Sequence, residues 1–140
     1  TILLHIDAVF TAPNATIKYP FSDLGLAPEV GSSFLLFQSL GYQQAAQLLF
    51  ESQPIDGNRY HELGLAKYVG EDFLDEANKY AHMLKEQSLS SIIETKAILK
   101  SFMQEDIAIS RSMETAAMKK LFGSEDNIKA VEKFFAKKNK

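Results

Sequence analysis

The stretch LGLAPEVGSS, residues 24–33, carries a single acid, Glu29, set between Pro28 and a run of small residues. Its surroundings, Leu24, Leu26, Ala27, Val30 and Gly31, are apolar or small, and the run Phe34-Leu35-Leu36-Phe37 follows directly. Apolar surroundings strip water from a carboxylate and make its ionised form a stronger base. A helix starting just after it acts in the opposite direction, because the positive end of the helix dipole favours the anion. On residue types and spacing alone, Glu29 is either a solvated loop charge or a candidate general base, and both readings stand.

Other chemistries find less support. His5, His61 and His82 have no partner at i, i+4 and no cysteine nearby, so packing or surface roles are expected rather than a metal site. There is no Gly-x-Ser-x-Gly elbow and no glycine-rich phosphate loop. The lysines at 129, 133, 137, 138 and 140 face a single acid, Glu132, in the last twelve residues. Such a cluster suits a solvated helix end, where cations complement the dipole, or a contact for phosphates.

These groups need elements to position them. The chain has 140 residues, 46% hydrophobic and 24% charged, which suits one domain with a real core. A net charge of −3 argues against a general nucleic-acid binder. With no cysteine there is neither a disulfide nor thiolate chemistry, and no apolar run reaches the roughly 18 residues of a membrane span.

Residues 1–6 read as the end of a buried helix closed near Asp7. Residues 8–11 and 16–19 read as two short strands around the turn Ala12-Pro13-Asn14. Ser32 or Ser33 is expected to cap a helix that carries Phe34, Leu35, Phe37 and Leu40 and closes at Gly41. Ala45, Ala46, Leu48 and Leu49 mark another helix. Asp56 is the expected N-cap of a short helix ending at Gly64, before a strand over 65–69. Phe73, Leu74, Ala77, Tyr80, Ala81 and Leu84 form one helical stripe. Two further helices are expected, one around 89–99 and one around 109–121. In a last helix, capped by Ser124, Ile128, Val131, Phe134 and Phe135 are expected inward. The chain starts in an apolar stretch without a methionine and has too few strands to close a sheet, so a piece of a longer protein is expected.

The residues IDAVFTAPNATIKYPFSDLGLAPEVGSS resemble the middle of the enoyl-CoA hydratase/isomerase (crotonase) superfamily. GYQQAAQLLFESQPIDGNRYHELGLAKYV resembles that family's Ala-x-x-Leu-Leu helix, short helix and Gly-Leu-Val strand. IIETKAIL is similar to its Thr-Lys helix and SEDNIKAVEKFFAKKNK to its closing helix with a basic end. The resemblance covers essentially the whole chain, as a set of individually weak motifs. It implies an α/β crotonase-like spiral fold of which this is the C-terminal half, with two or three short strands and then a mainly helical trimerisation region. Residues 1–70 would belong to the core and 71–140 to the helical region. The N-terminal half would carry the oxyanion-hole amides and much of the CoA surface, so the fragment alone is expected to be inactive.

The resemblance also implies a reaction. Hydratases of the family usually carry an acid directly after the proline of the second strand, and their other glutamate would fall near Thr1. Here those positions are Phe21, after Pro20, and Thr1 itself. The Δ3,Δ2-enoyl-CoA isomerases use one glutamate in a Pro-Glu-Gly loop, and Pro28-Glu29 fits that position. Val30 departs from the pattern, where glycine is common. The implied activity is isomerisation of 3-enoyl-CoA to 2-enoyl-CoA in fatty-acid β-oxidation, with Glu29 catalytic and Phe21, Leu26, Pro28 and Val30 lining the acyl site. Lys137 and Lys138 would approach the CoA phosphates. No cofactor or metal is implied. The expected partners are an acyl-CoA, the rest of the same protein and further copies in a trimer or dimer of trimers, with no nucleic acid and no membrane. The alternatives are a non-catalytic acyl-CoA or protein-binding module, or another crotonase-type reaction such as hydration or thioester hydrolysis. The expected compartment is a bacterial cytoplasm, or a peroxisome or mitochondrion in a eukaryote.

Overall fold

The computed structural model describes the backbone of residues 1–138 and the side chains of residues 1–136. Six helices and two short strands occur in the described chain: β1 (Phe10–Thr11), α1 (Ser32–Leu40), α2 (Tyr42–Glu51), α3 (Gly57–Glu62), β2 (Tyr68–Val69), α4 (Phe73–Lys85), α5 (Leu89–Leu121) and α6 (Glu125–Lys138). They fall into two compact units. Among the described residues, one comprises 1–5, 18–54 and 107–138; the other comprises residues 6–17 and 55–106.

In the second unit, β1 and β2 pair in parallel, Phe10 opposite Tyr68 and Thr11 opposite Val69. Parallel strands cannot be joined by a tight turn, and the intervening chain supplies the crossover. The expected second strand over 16–19 reduces to one antiparallel bridge, Ile17 to Ile55. The turn at Ala12–Ala15 (Ala15 N–H to Ala12 C=O, 3.2 Å) lets β1 take its partner from far along the chain instead. Val9, Tyr60 and Ala66 form the buried centre, with Ile17, Ile55 and Leu65 against it. Phe10 packs on Tyr80 in a tilted arrangement, ring centroids 5.6 Å apart and planes at 46°. As expected, the Asp56 side chain caps α3 by accepting from the Arg59 amide at 2.7 Å, and Gly64 follows with φ +75°. Gly57 opens that helix where no side chain fits: a Cβ there would lie 2.0 Å from the Ala12 carbonyl oxygen.

The first unit is built on α1, α2, the C-terminal part of α5 and α6. Leu36 and Ser32 are fully buried on α1, with Leu35 and Ala45 close to it. Ser52, fully buried in a left-handed conformation after α2, donates to the Tyr19 carbonyl at 2.9 Å.

Three expectations fail here for identifiable reasons. Residues 2–5 form a 3-10 turn with no buried residue, not the end of a buried helix; its closing bond is the Leu4 amide to the Thr1 carbonyl, 3.0 Å. The two helices expected over 89–99 and 109–121 are one, α5, because residues 100–108 contain neither glycine nor proline to interrupt it. On α6 the cap is as expected, with the Asn127 amide on Ser124 Oγ at 3.2 Å. The buried residue, however, is Asn127; of the four expected inward, Val131 is half-buried, while Ile128, Phe134 and Phe135 are exposed. Asn127 Nδ2 donates to the Leu24 carbonyl at 2.6 Å, so the face of α6 that meets the Ser22–Leu24 turn is the one carrying Asn127.

Candidate functional site

Glu29 lies in the loop between a 3-10 turn, Ser22–Leu24, and α1. The turn closes on Gly25, whose left-handed φ of +63° reverses the chain. A side chain at Gly25 would meet the Asn127 backbone at 2.9 Å, so glycine allows α6 to dock there. The Leu26 amide returns to the Phe21 carbonyl at 2.8 Å, which anchors the near side of the loop. Phe21 and Ala27 are buried, Leu26 and Pro28 half-buried, and Glu29 and Val30 exposed.

The loop therefore brings Leu26, Pro28, Glu29 and Val30 together, with Phe21 joined to it through the backbone. The described residues do not enclose the Glu29 carboxylate in the apolar neighbourhood expected for it. The side chain is exposed and makes no hydrogen bond or ion pair with any described residue. The side chains of Lys137 and Lys138 lie outside the described residues.

The far side of the loop is held more elaborately. Val30 and Gly31 are both left-handed, with φ of +60° and +75°. For a β-branched residue this is an unfavourable conformation. The Val30 carbonyl accepts from His5 Nε2 at 2.8 Å. The Gly31 amide donates to Glu114 Oε2 at 2.6 Å. Both contacts fall on one peptide group. The Ser32 amide closes onto the Glu29 carbonyl at 3.0 Å.

The N-cap position of α1 is occupied by Gly31, which has no side chain to cap with. The expected capping by Ser32 or Ser33 does not occur. Glu114 of α5 caps the helix instead: its Oε1 accepts the Ser33 amide at 2.9 Å and the Ser33 hydroxyl at 2.6 Å. Ser110 Oγ lies 2.9 Å from Ser33 Oγ and 3.3 Å from Glu114 Oε1. Glu114 is only 6% exposed. A buried carboxylate is tolerated when donors surround it, and these include amides that a helix start leaves unpaired.

Sequence reasoning missed Glu114, Ser110 and the role of His5. The trace available was slight: Ser110 and Glu114 are four apart on one helical face, interleaved with the apolar positions 109, 113, 116 and 117. Their partners lie 77 and 83 residues away, beyond the reach of any local pattern. His61, with Nδ1 2.8 Å from the Ala66 carbonyl, serves the α3–β2 connection.

The whole chain, residues 1–140, matches the sequence profile of the Enoyl-CoA hydratase/isomerase family. Among curated proteins it is similar to the short-chain-enoyl-CoA hydratase of Clostridium acetobutylicum, 26% identical over 98% of this chain and 53% of the relative. It is similar too to the peroxisomal enoyl-CoA delta isomerase 3 of Mus musculus, 25% identical over 100% of this chain and 45% of the relative. Among solved structures, an enoyl-CoA hydratase/isomerase from Pseudoalteromonas atlantica superposes with a TM-score of 0.90 at 26% identity, over 97% of this chain and 56% of the other. The chain spans about half the length of the curated relatives it matches. With its fold and its full length accounted for in this way, the chain belongs to the enoyl-CoA hydratase/isomerase family of the crotonase superfamily.

Proposed function

We propose that the protein containing this chain moves a double bond from C3–C4 to C2–C3 of an acyl-CoA, with Glu29 as its single base. The observation that carries this reading is the state of the Glu29 carboxylate: exposed and unengaged by described residues, on a loop whose backbone is tied on both sides. Such a group is free to take a proton from substrate C2. The electrons left behind delocalise into a dienolate whose charge rests on the thioester oxygen. Glu29, now protonated, returns that proton to C4, and the carboxylate is regenerated. One carboxylate reaching both carbons suffices, and no water enters the products. Backbone amides from the other part of the protein would stabilise the dienolate oxygen.

Leu26, Pro28 and Val30 flank the base and would line the acyl chain, with buried Phe21 behind them. In this reading residues 1–70 complete the catalytic core, residues 71–140 form the trimer contacts, and Lys137 and Lys138 approach the CoA phosphates. The acyl-CoA substrate and the place in fatty-acid β-oxidation follow from the same assignment.

Hydration is the second reading, favoured by the hydratase name of the clostridial relative. It needs a second acid to hold and split water, and the positions the family would use are Phe21 and Thr1. The test is an assay of the full-length protein on a trans-3-enoyl-CoA beside Glu29→Gln. Conversion to the 2-enoyl isomer that disappears in the variant is the expected result, and an undiminished rate in the variant overturns it. A 3-hydroxyacyl product would mark a hydratase and free CoA a thioesterase. Co-purified CoA with no turnover would mark a binding module.

A further inference from the structure

We propose that Glu114 is a positioning residue for the Glu29 base, acting through the Val30–Gly31 peptide together with His5. This rests on the reading of Glu29 as the base and adds the device that aims it.

The peptide following Val30 is gripped at both of its polar atoms. His5 Nε2 holds the Val30 carbonyl at 2.8 Å, and Glu114 Oε2 holds the Gly31 amide at 2.6 Å. Rotating that peptide would break both bonds at once. Without them it has reason to rotate, since Val30 sits at φ +60°, where its branched Cβ crowds the backbone. Glu29 is one residue before this peptide and its own carbonyl accepts the Ser32 amide at 3.0 Å, so a rotation of the 30–31 peptide disturbs the turn that carries the Glu29 side chain. The other Glu114 oxygen takes the Ser33 amide and hydroxyl, and Ser110 lies beside both hydroxyl and carboxylate. These bonds fix Glu114 itself, so the clamp on Gly31 is rigid. A base that must reach two carbons in turn depends on such aim, and small misplacements of a reacting group cost large factors in rate.

Glu114→Gln separates this from a merely structural role. The amide oxygen can keep the Ser33 contacts, but its NH2 then faces the Gly31 N–H, donor against donor, and the clamp opens. In the full-length protein, Glu114→Gln is expected to lower kcat by about tenfold or more with KM within about twofold of the wild type. His5→Ala, at an exposed contact, is expected to lower kcat less, also at constant KM. Glu29→Gln is assayed in parallel, with thermal melts of every variant.

An unchanged kcat in folded Glu114→Gln, beside an inactive Glu29→Gln, overturns the positioning role and leaves the base assignment standing. A rate loss that appears wholly as raised KM overturns it as well. Wild-type rates in Glu29→Gln overturn the base assignment and the positioning role together. If Glu114→Gln does not fold, His5→Ala decides: loss of kcat at constant KM supports the clamp, and unchanged kcat overturns it.

Discussion

Glu114 and Gly31, 83 residues apart, meet in a 2.6 Å hydrogen bond at the N-terminus of α1, where the helix has no cap of its own. The same carboxylate receives the Ser33 amide and hydroxyl. Removing it leaves two main-chain amides at a buried helix start without their acceptor. Glu114→Ala is therefore expected to lower unfolding stability by about 2–4 kcal/mol, and Ser110→Ala, which removes the hydroxyl beside Ser33 Oγ and Glu114 Oε1 but leaves both main-chain amides with their acceptor, by about 1 kcal/mol. Urea unfolding of the two variants beside the wild type measures the difference. Equal losses would mean that the carboxylate is not the centre of the network.

Val30 holds a left-handed conformation at about 1–2 kcal/mol above an ordinary one. Val30→Gly removes that strain but adds freedom to the unfolded chain, which offsets about 0.4–1 kcal/mol. The expected net effect is a gain in stability of up to about 1 kcal/mol, visible as a higher urea midpoint at an unchanged slope. A clear loss would show that Val30 contributes packing that outweighs its backbone strain.

Gly57 is required by space alone. An added Cβ would lie 2.0 Å from the Ala12 carbonyl oxygen, and the Gly57 amide donates to the Pro13 carbonyl at 3.1 Å. Main chain on both sides of the contact has to move if a methyl is added. Gly57→Ala is expected to destabilise by about 1–3 kcal/mol in a thermal or urea melt, the range typical of overpacking a tight site. Asn58→Ala, at the exposed next position, is the control and is expected to stay within about 0.5 kcal/mol of the wild type.

Tyr68 donates its phenol proton to Asp72 Oδ1 at 2.5 Å. That bond, with the negative charge of Asp72 and Glu76, pushes the phenol up to about 12; the same bond, with the positive charge of Lys79, holds the Asp72 carboxyl below its usual range. For Tyr68 the folded value is the higher, so its contribution to stability is complete below the ordinary phenol range and fades as pH rises towards 12. For Asp72 the folded value is the lower, so its contribution is present above the ordinary carboxylate range and fades as pH falls through the depressed value. Phenolate absorbance followed against pH, as the difference between wild type and Tyr68→Phe, is expected to isolate a transition near 12. A difference centred at the ordinary phenol value would show that the Asp72 contact does not persist in solution.

Much of the frame was legible because it is local chemistry. The Asp56 cap, the glycine stop at Gly64, the Ser124 cap and the helix α4 depend on residues a few positions apart, whose hydrogen bonds or period appear directly in the order of the chain. Motif order likewise carried the family resemblance and singled out Glu29 in its proline-flanked loop. What the order of residues could not carry was the partner of each element. Pairing of β1 with β2 rather than with residues 16–19, the continuity of α5 and the outward turn of the α6 phenylalanines were decided by which surfaces met in three dimensions. The surroundings of Glu29 were decided the same way. Its sequence neighbours are apolar, yet the folded loop leaves the carboxylate open and sets Val30 and Gly31 left-handed. The groups that hold that loop, His5 and Glu114, come from segments 25 and 83 residues away. A helix start without its own cap must find acceptors somewhere, but only the packed chain determines which distant carboxylate supplies them.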